Sequence, residues 1–246
     1  RVVTTSEARS GRIEPDTFAW SQYPDPNGRP TSPVRILRAA EPFLIEADFP
    51  ADFHAGLHWH PHDTIYLMTE GEMRIGEEGR FGPGSLRWVK AGHVYGPEEA
   101  GPRGVRFHLF SLGGEIGLNW ADLEAVPAAL QQRLRRFRSP AGRRDLSLAM
   151  RWQPGQRVPT HADMPDEGPL VFRLQLGANA PLAPVAFPFP WMLYLTQGEL
   201  RVDGLGSVAA GEFYWSLAGE SPALGAGAEG ASGIVISTEE RDGGTA

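Results

Sequence analysis

The stretch from about residue 42 to 110 of this chain is echoed further on by residues 169 to 237. Gly71 and Gly198, Gly84 and Gly211, Trp88 and Trp215, and Gly92 and Gly219 are each 127 positions apart. Around them Tyr66-Leu-Met-Thr-Glu-Gly-Glu-Met-Arg-Ile is matched by Leu193-Tyr-Leu-Thr-Gln-Gly-Glu-Leu-Arg-Val, and Pro42-Phe-Leu-Ile by Pro169-Leu-Val-Phe. One offset held without gaps over this length reads as a duplicated domain, because solenoid units are far shorter. Whatever one copy folds into, the other must fold into as well.

The repeated unit reads as strand. Short runs rich in β-branched and aromatic residues, such as Val34-Arg-Ile-Leu, Phe43-Leu-Ile-Glu-Ala-Asp-Phe and Gly104-Val-Arg-Phe-His-Leu-Phe-Ser, are separated by glycine turns. The 30 Gly and 22 Pro of the 246 residues suit many short strands, and 41% hydrophobic content is enough for a packed core. Before residue 34 the chain is polar and turn-rich, as an arm laid over the surface would be, with Trp20 and Tyr23 as anchors. One helix is expected, from Ala121 to Phe137: Leu123, Val126, Leu130, Leu134 and Phe137 recur at helical spacing, and Arg133, Arg135, Arg136 and Arg138 gather at the end the helix dipole favours for cations. The expected organisation is an arm (1–34), a first β domain (35–118), helix and linker (119–164) and a second β domain (165–240).

A formal charge of −7 and the scatter of Lys and Arg argue against a nucleic-acid partner. Zero Cys excludes disulfides, a thiolate nucleophile and Cys-ligated zinc. No run approaches the about 18 apolar residues of a spanning helix, and the N-terminal stretch is polar, so neither membrane insertion nor a signal peptide is expected. A cytoplasmic location is the default. The chain opens on Arg1 rather than Met, as one lacking some N-terminal sequence would.

Three of the seven histidines fall at alternate positions, His58, His60 and His62. Residues i and i+2 of a strand face the same way, so His58 and His60 can converge on one point. Two converging imidazoles are half of a typical site for a mid-row divalent metal. At the offset of 127, His58, His60, Thr64 and Tyr95 become Val185, Phe187, Trp191 and Pro222, none of which ligates a metal. Glycines kept in both copies serve turn geometry. The histidines occur in one copy, so the domain does not need them to fold.

These motifs resemble those of the cupin superfamily. Its first motif carries His-x-His, a Glu four residues on and a Gly seven after that. His58, His60 and Gly71 fit, and Thr64 stands where the Glu belongs. The second motif fits at Gly84 and Gly92, while Lys90 replaces its Pro, Tyr95 its ligand His and Glu99 its Asn. The resemblance covers most of residues 35–115 and 165–238. It implies an all-β bicupin: two tandem jelly-roll barrels, the first with a metal site and the second degenerate, with Phe187-Pro-Phe-Pro-Trp191 filling its interior. One divalent ion per chain is implied, with Fe(II), Mn(II), Ni(II) and Zn(II) all open.

His58 and His60 are the first two expected ligands. The third is left among His62, His93, Tyr95 and His108, with His62 and His93 ranked ahead; His54 and His161 are expected at the surface. Trp59, Tyr66, Trp88 and Tyr95 are candidates for an aromatic pocket. Arg87 and Lys90, which lack counterparts in the second copy, are candidates to hold a substrate carboxylate, with Tyr95 as a further catalytic group. The expected function is a metal-dependent enzyme, most plausibly dioxygenase-like, acting on a small oxygenated or aromatic molecule. The alternatives are a non-catalytic small-molecule sensor and a metal-free epimerase- or cyclase-like protein using His and Tyr as acid and base. A small-molecule substrate is the expected partner, and a homodimer is left open.

Overall fold

The computed structural model describes residues 10–24, 30–120, 141–144, 150–152, 169–182, 186–187, 189–220 and 222–237. Nineteen strands run through them. The first eleven are β1 (Gly11–Ile13), β2 (Ser21–Pro24), β3 (Pro30–Arg38), β4 (Phe43–Phe49), β5 (His54–Ala55), β6 (His58–Trp59), β7 (Thr64–Ile75), β8 (Gly79–Phe81), β9 (Leu86–Val89), β10 (Glu98–Ser111) and β11 (Asn119–Trp120). The rest are β12 (Ala141–Arg144), β13 (Met150–Trp152), β14 (Val171–Leu176), β15 (Pro181–Leu182), β16 (Trp191–Val202), β17 (Gly206–Ala209), β18 (Phe213–Ser216) and β19 (Leu224–Ser237). The helix expected over Ala121–Phe137 lies outside the described residues. Among the described residues the one helical element is a 3-10 turn, Pro15–Thr17, and no helix is long and apolar enough to cross a membrane.

The chain divides into two compact units, Phe18–Leu146 and Arg1–Thr17 with Ser147–Ala246. The first carries a nine-stranded sheet in the order β12-β9-β7-β10-β4-β3-β2, with β5 on β10 and β8 on β7, and a separate β6–β11 pair. The second carries an eight-stranded sheet in the order β1-β18-β16-β19-β14-β13, with β15 on β19 and β17 on β16. The order β9-β7-β10-β4 in one is thus the order β18-β16-β19-β14 in the other.

The repeat survives as register, with one correction. β7 and β16 begin and end 127 positions apart, as do β9 and β18. At β10 and β19 the offset falls to 126: Ser111 pairs with Thr64, whereas Ser237 pairs with Trp191. The single offset expected through residue 110 therefore breaks after Gly92 and Gly219, where the first copy has one residue more.

Both copies use the same glycine device. Gly71 and Gly198 have φ of 69° and 74°. A Cβ at either would lie 2.0 Å from the Gly104 carbonyl oxygen or 2.1 Å from that of Gly230. Only glycine allows these strands to close on each other.

The residues before 34 contribute β1, β2 and the start of β3. β1 adds an edge to the second sheet, with Gly11 opposite Trp215 and Ile13 opposite Phe213. Trp20 stays 40% exposed, with the guanidinium carbons of Arg35 and Arg106 at 4.6 and 5.9 Å from its ring centre.

Inward-facing side chains of the second unit form an apolar core that includes Phe172, Phe187, Phe189, Trp191, Leu193 and Tyr214. The first unit has a matching core of Phe43, Ile45, Met68, Met73, Val89 and Phe107, interrupted by a polar cluster.

Candidate functional site

The cluster is built on backbone pairing. His58 and Tyr95 form an isolated antiparallel bridge, each amide donating to the other's carbonyl at 3.0 Å. The Gly92 amide donates to the His60 carbonyl at 2.8 Å, as Gly219 does to Phe187 in the second unit. Asp63 ties the histidine segment to β9, accepting from Trp88 Nε1 at 3.0 Å and from the Ala91 amide at 2.8 Å. Trp88, a candidate for the pocket wall, thus serves as an anchor.

His58, His60, Tyr66, Tyr95, Arg87 and Glu98 are all no more than 3% exposed. Each imidazole is oriented by a main-chain carbonyl: His58 Nδ1 lies 2.9 Å from Gly56 O, and His60 Nδ1 3.0 Å from Ile116 O. A carbonyl only accepts, so both Nδ1 atoms carry the proton. In the neutral rings both Nε2 atoms then present lone pairs. For His60 the neutral form is secured by burial and by the neighbouring His58, which lower its pKa to about 3. Its Nε2 accepts from Tyr95 Oη at 2.8 Å, and Tyr66 Oη lies 2.5 Å from Tyr95 Oη. Burial first, then the Glu98 charge, push both phenols above their usual range, so both stay protonated. The protons therefore run in one direction, from Tyr66 to Tyr95 to His60 Nε2.

Two further charges border this chain of donors. Arg87 lies opposite Tyr66 across the β7–β9 pair and donates from Nε and Nη2 to Glu78 at 2.7 and 2.6 Å. Its guanidinium carbon is 4.1 Å from the Tyr95 ring centre, a cation–π contact, and its buried Nη1 has no hydrogen-bond partner among the described residues. Glu98 Oε1 is 3.8 Å from His58 Nε2 and likewise lacks a hydrogen bond.

The structure thus gathers His58, His60 and Tyr95 from the expected set. His93 stacks on the outer side, its ring 6.4 Å from that of Tyr95 and partly exposed. His62 is partly exposed, beside Gly114 and Glu41. His108 is buried, but in β10 it alternates with the core residues Phe107 and Leu109 and faces away from them. Lys90 sits partly exposed in the turn after β9. Arg87 has two of its three nitrogens spent on Glu78. His54 has an exposed side chain, and His161 lies outside the described residues.

Glu98 escaped the sequence reading. Motif spacing draws attention to Glu99, but Glu99 points outward to Arg74 and His54. The usable signal is the extra residue between Gly92 and β10, which makes Glu98, rather than residue 97, the counterpart of the buried Leu224.

Among the described residues no three His, Asp or Glu side chains already close on one point. The donor set nevertheless suits a divalent cation: two imidazoles, a phenol and a carboxylate oxygen left without a hydrogen bond, all buried within the first unit.

The chain as a whole is similar to known proteins. A Pseudomonas aeruginosa protein put forward as a quercetin 2,3-dioxygenase is 30% identical over 186 residues, 67% of this chain and 63% of its own length. A pirin-like protein of Caulobacter vibrioides is 34% identical over 109 residues, 34% of this chain and 40% of its own length. The matches thus span less than two thirds of either curated relative. No family model matches. Among solved structures, a Nostoc punctiforme protein put forward as a dioxygenase has a TM-score of 0.66 at 14% identity, covering 98% of this chain and 86% of that one. Bacillus subtilis oxalate decarboxylase, in a structure concerned with its Mn(II) centres, gives 0.54 at 13% identity, covering 98% and 80%.

Proposed function

The chain belongs to the cupin superfamily, and on that premise we propose a metal-dependent bicupin enzyme that oxidises a small oxygenated or aromatic molecule in a dioxygenase-like reaction. Its two units would be cupin barrels, the first active and the second degenerate. One observation carries the reading. The first unit buries His60, Tyr66 and Arg87 where the second buries Phe187, Leu193 and Tyr214 in its apolar core. Burying polar and charged groups costs several kcal/mol that an apolar core avoids. The second unit folds without them, so the first keeps them for chemistry.

His58 Nε2 and His60 Nε2 would hold the ion, each ring fixed from behind by a carbonyl as metal-bound histidines are. A bound Fe(II) or Mn(II) would supply Lewis acidity toward a substrate oxygen and a route to O₂. With His60 Nε2 holding the ion, the Tyr95 hydroxyl would be free of that hydrogen bond and would donate to a substrate oxygen, with Tyr66 donating behind it. The Arg87–Glu78 pair fixes the Tyr95 ring from its face. The names of the relatives support oxidation, and the oxalate decarboxylase fold supports a divalent metal.

The test is elemental analysis of untagged wild type beside His58→Ala and His60→Ala, with oxygen uptake on a panel of flavonols, catechols and diketones. Near-stoichiometric metal in the wild type alone and uptake on one class of substrate are expected. Equal metal in all three removes the site, and no uptake by loaded protein removes the oxidation.

A second reading rests on the hydrogen bond between His60 Nε2 and Tyr95 Oη. It takes the imidazole and phenol as base and acid of a metal-free epimerase-like reaction. Turnover by protein stripped of metal would select it.

A further inference from the structure

We infer that the hydroxyls of Thr64 and Ser111 form a subsite that receives an acceptor oxygen of the substrate. The substrate class is then a compact molecule with at least two oxygen functions, one of them a carbonyl or hydroxyl seated on this pair. The inference rests on the reading of this interior as a substrate site and names the residues that select for the substrate there.

Register brings the two side chains together. Thr64 begins β7 and Ser111 ends β10, directly opposite each other; Ser111 also faces Phe43 of β4, and Thr64 faces Val89 of β9. Phe43 and Val89 belong to the inner core, as do Tyr66, two places after Thr64, and Leu109, two places before Ser111. Both hydroxyls therefore point into the interior. Cβ atoms of directly opposed residues lie about 4.5–5.5 Å apart, so one small oxygen group can meet both. The row also stands at the histidine end of the unit. The Asp63 carbonyl, next to Thr64, accepts from the Leu112 amide at 2.9 Å, and further along the same segment the Ile116 carbonyl orients the His60 ring.

The second support is what these groups lack. Both side chains are 0% exposed, and among the described residues neither Thr64 Oγ1 nor Ser111 Oγ has a hydrogen-bond partner. A buried hydroxyl without a partner is costly, and the large majority in folded proteins have one. Two of them side by side mark a place kept for a polar group from outside the chain. Both can donate, as can the buried Arg87 Nη1, which also lacks a partner among the described residues. An acceptor oxygen is what such donors need. The third support is the second unit, where Trp191 stands at the position of Thr64, opposite Ser237. Its ring centre lies 4.8 Å from that of Phe187 and 5.3 Å from that of Tyr214, the counterparts of His60 and Arg87. A side chain at this position thus faces the proposed chemistry, and the fold accepts an apolar one there.

The experiment measures binding of two matched pairs of probes by calorimetry, catechol beside phenol and acetylacetone beside 2-pentanone. The proteins are the wild type, Thr64→Val and Ser111→Ala, each with its metal content and thermal melt recorded. The wild type should bind the two-oxygen member of at least one pair about tenfold more tightly than its one-oxygen partner, the worth of about one hydrogen bond. Thr64→Val and Ser111→Ala should each cut that preference at least about fivefold. Their metal content should equal that of the wild type, and their melting temperatures should equal or exceed it, because each loses only a hydroxyl that nothing in the chain satisfies. Thr64→Trp, copying the second unit, should bind neither member of a pair. An unchanged preference in both hydroxyl variants overturns the proposal and leaves the substrate site standing on other groups. Melting temperatures below the wild type's in both variants assign the hydroxyls to the fold and overturn it as well. A wild type that binds none of the four probes removes the substrate-site reading, and this proposal with it. A wild type that shows the preference without any metal keeps the subsite and removes the metal-dependent function.

Discussion

His108 is an ionisable side chain buried away from the proposed chemistry. It lies opposite Glu46, with Arg35 paired to Glu46 and Arg106 within 3.9 Å of the same carboxylate. Burial first, then the charges of Arg35 and Arg106, bring its pKa down from 6.5 to about 3. A histidine with a depressed folded pKa takes up its proton first in the unfolded chain. Its contribution to stability is therefore complete above about pH 6.5 and is lost as the pH falls toward about 3, at up to about 1.4 kcal/mol per pH unit. Urea unfolding at pH 7 and pH 5 should show a smaller difference for His108→Gln than for the wild type. An equal difference would place the acid sensitivity elsewhere. No spacing rule in the sequence separates His108 from His58 or His60. Its role depends on which face of β10 it occupies, and that was read only from the ladder.

At the scale of strands, the turn and crossing glycines were legible. Gly71, Gly84 and Gly92 recur as Gly198, Gly211 and Gly219, and all six adopt positive φ. Why Gly71 cannot be replaced needs the structure: its partner is the Gly104 carbonyl on another strand. Gly71→Ala and Gly198→Ala should each cost more than about 2 kcal/mol, since left-handed backbone alone costs about 1–2 kcal/mol for a residue with a Cβ and the clash adds to it. Both losses should appear in thermal melts whether or not metal is present. A loss confined to Gly71→Ala would mean that the glycine serves the site rather than the fold.

For the molecule as a whole, the duplication supplies its own control. Position for position, the second unit shows the first unit's interior with its polar groups exchanged for Phe187, Trp191, Leu193 and Leu224. Exchanging a buried ionic group for an apolar one of similar volume is often neutral or stabilising by about 1–4 kcal/mol. Glu98→Leu, copying the second unit, should thus leave unchanged or raise the denaturant midpoint of the metal-free protein. A lower midpoint would mean that Glu98 holds the fold together.

The sequence by itself determined the duplication, the all-β class, the inward pair His58 and His60 and the apolar second interior. Each rests on local periodicity or on residues repeated at a fixed distance. Tertiary structure alone decided that Tyr95, Tyr66 and His60 share one line of hydrogen bonds, that Arg87 belongs to Glu78, and that Glu98 rather than Glu99 turns inward. The last depends on a one-residue difference between the copies after Gly92, because a shift of one position along a strand sends every following side chain to the opposite face. The other two depend on contacts between segments distant in sequence, which no local pattern encodes.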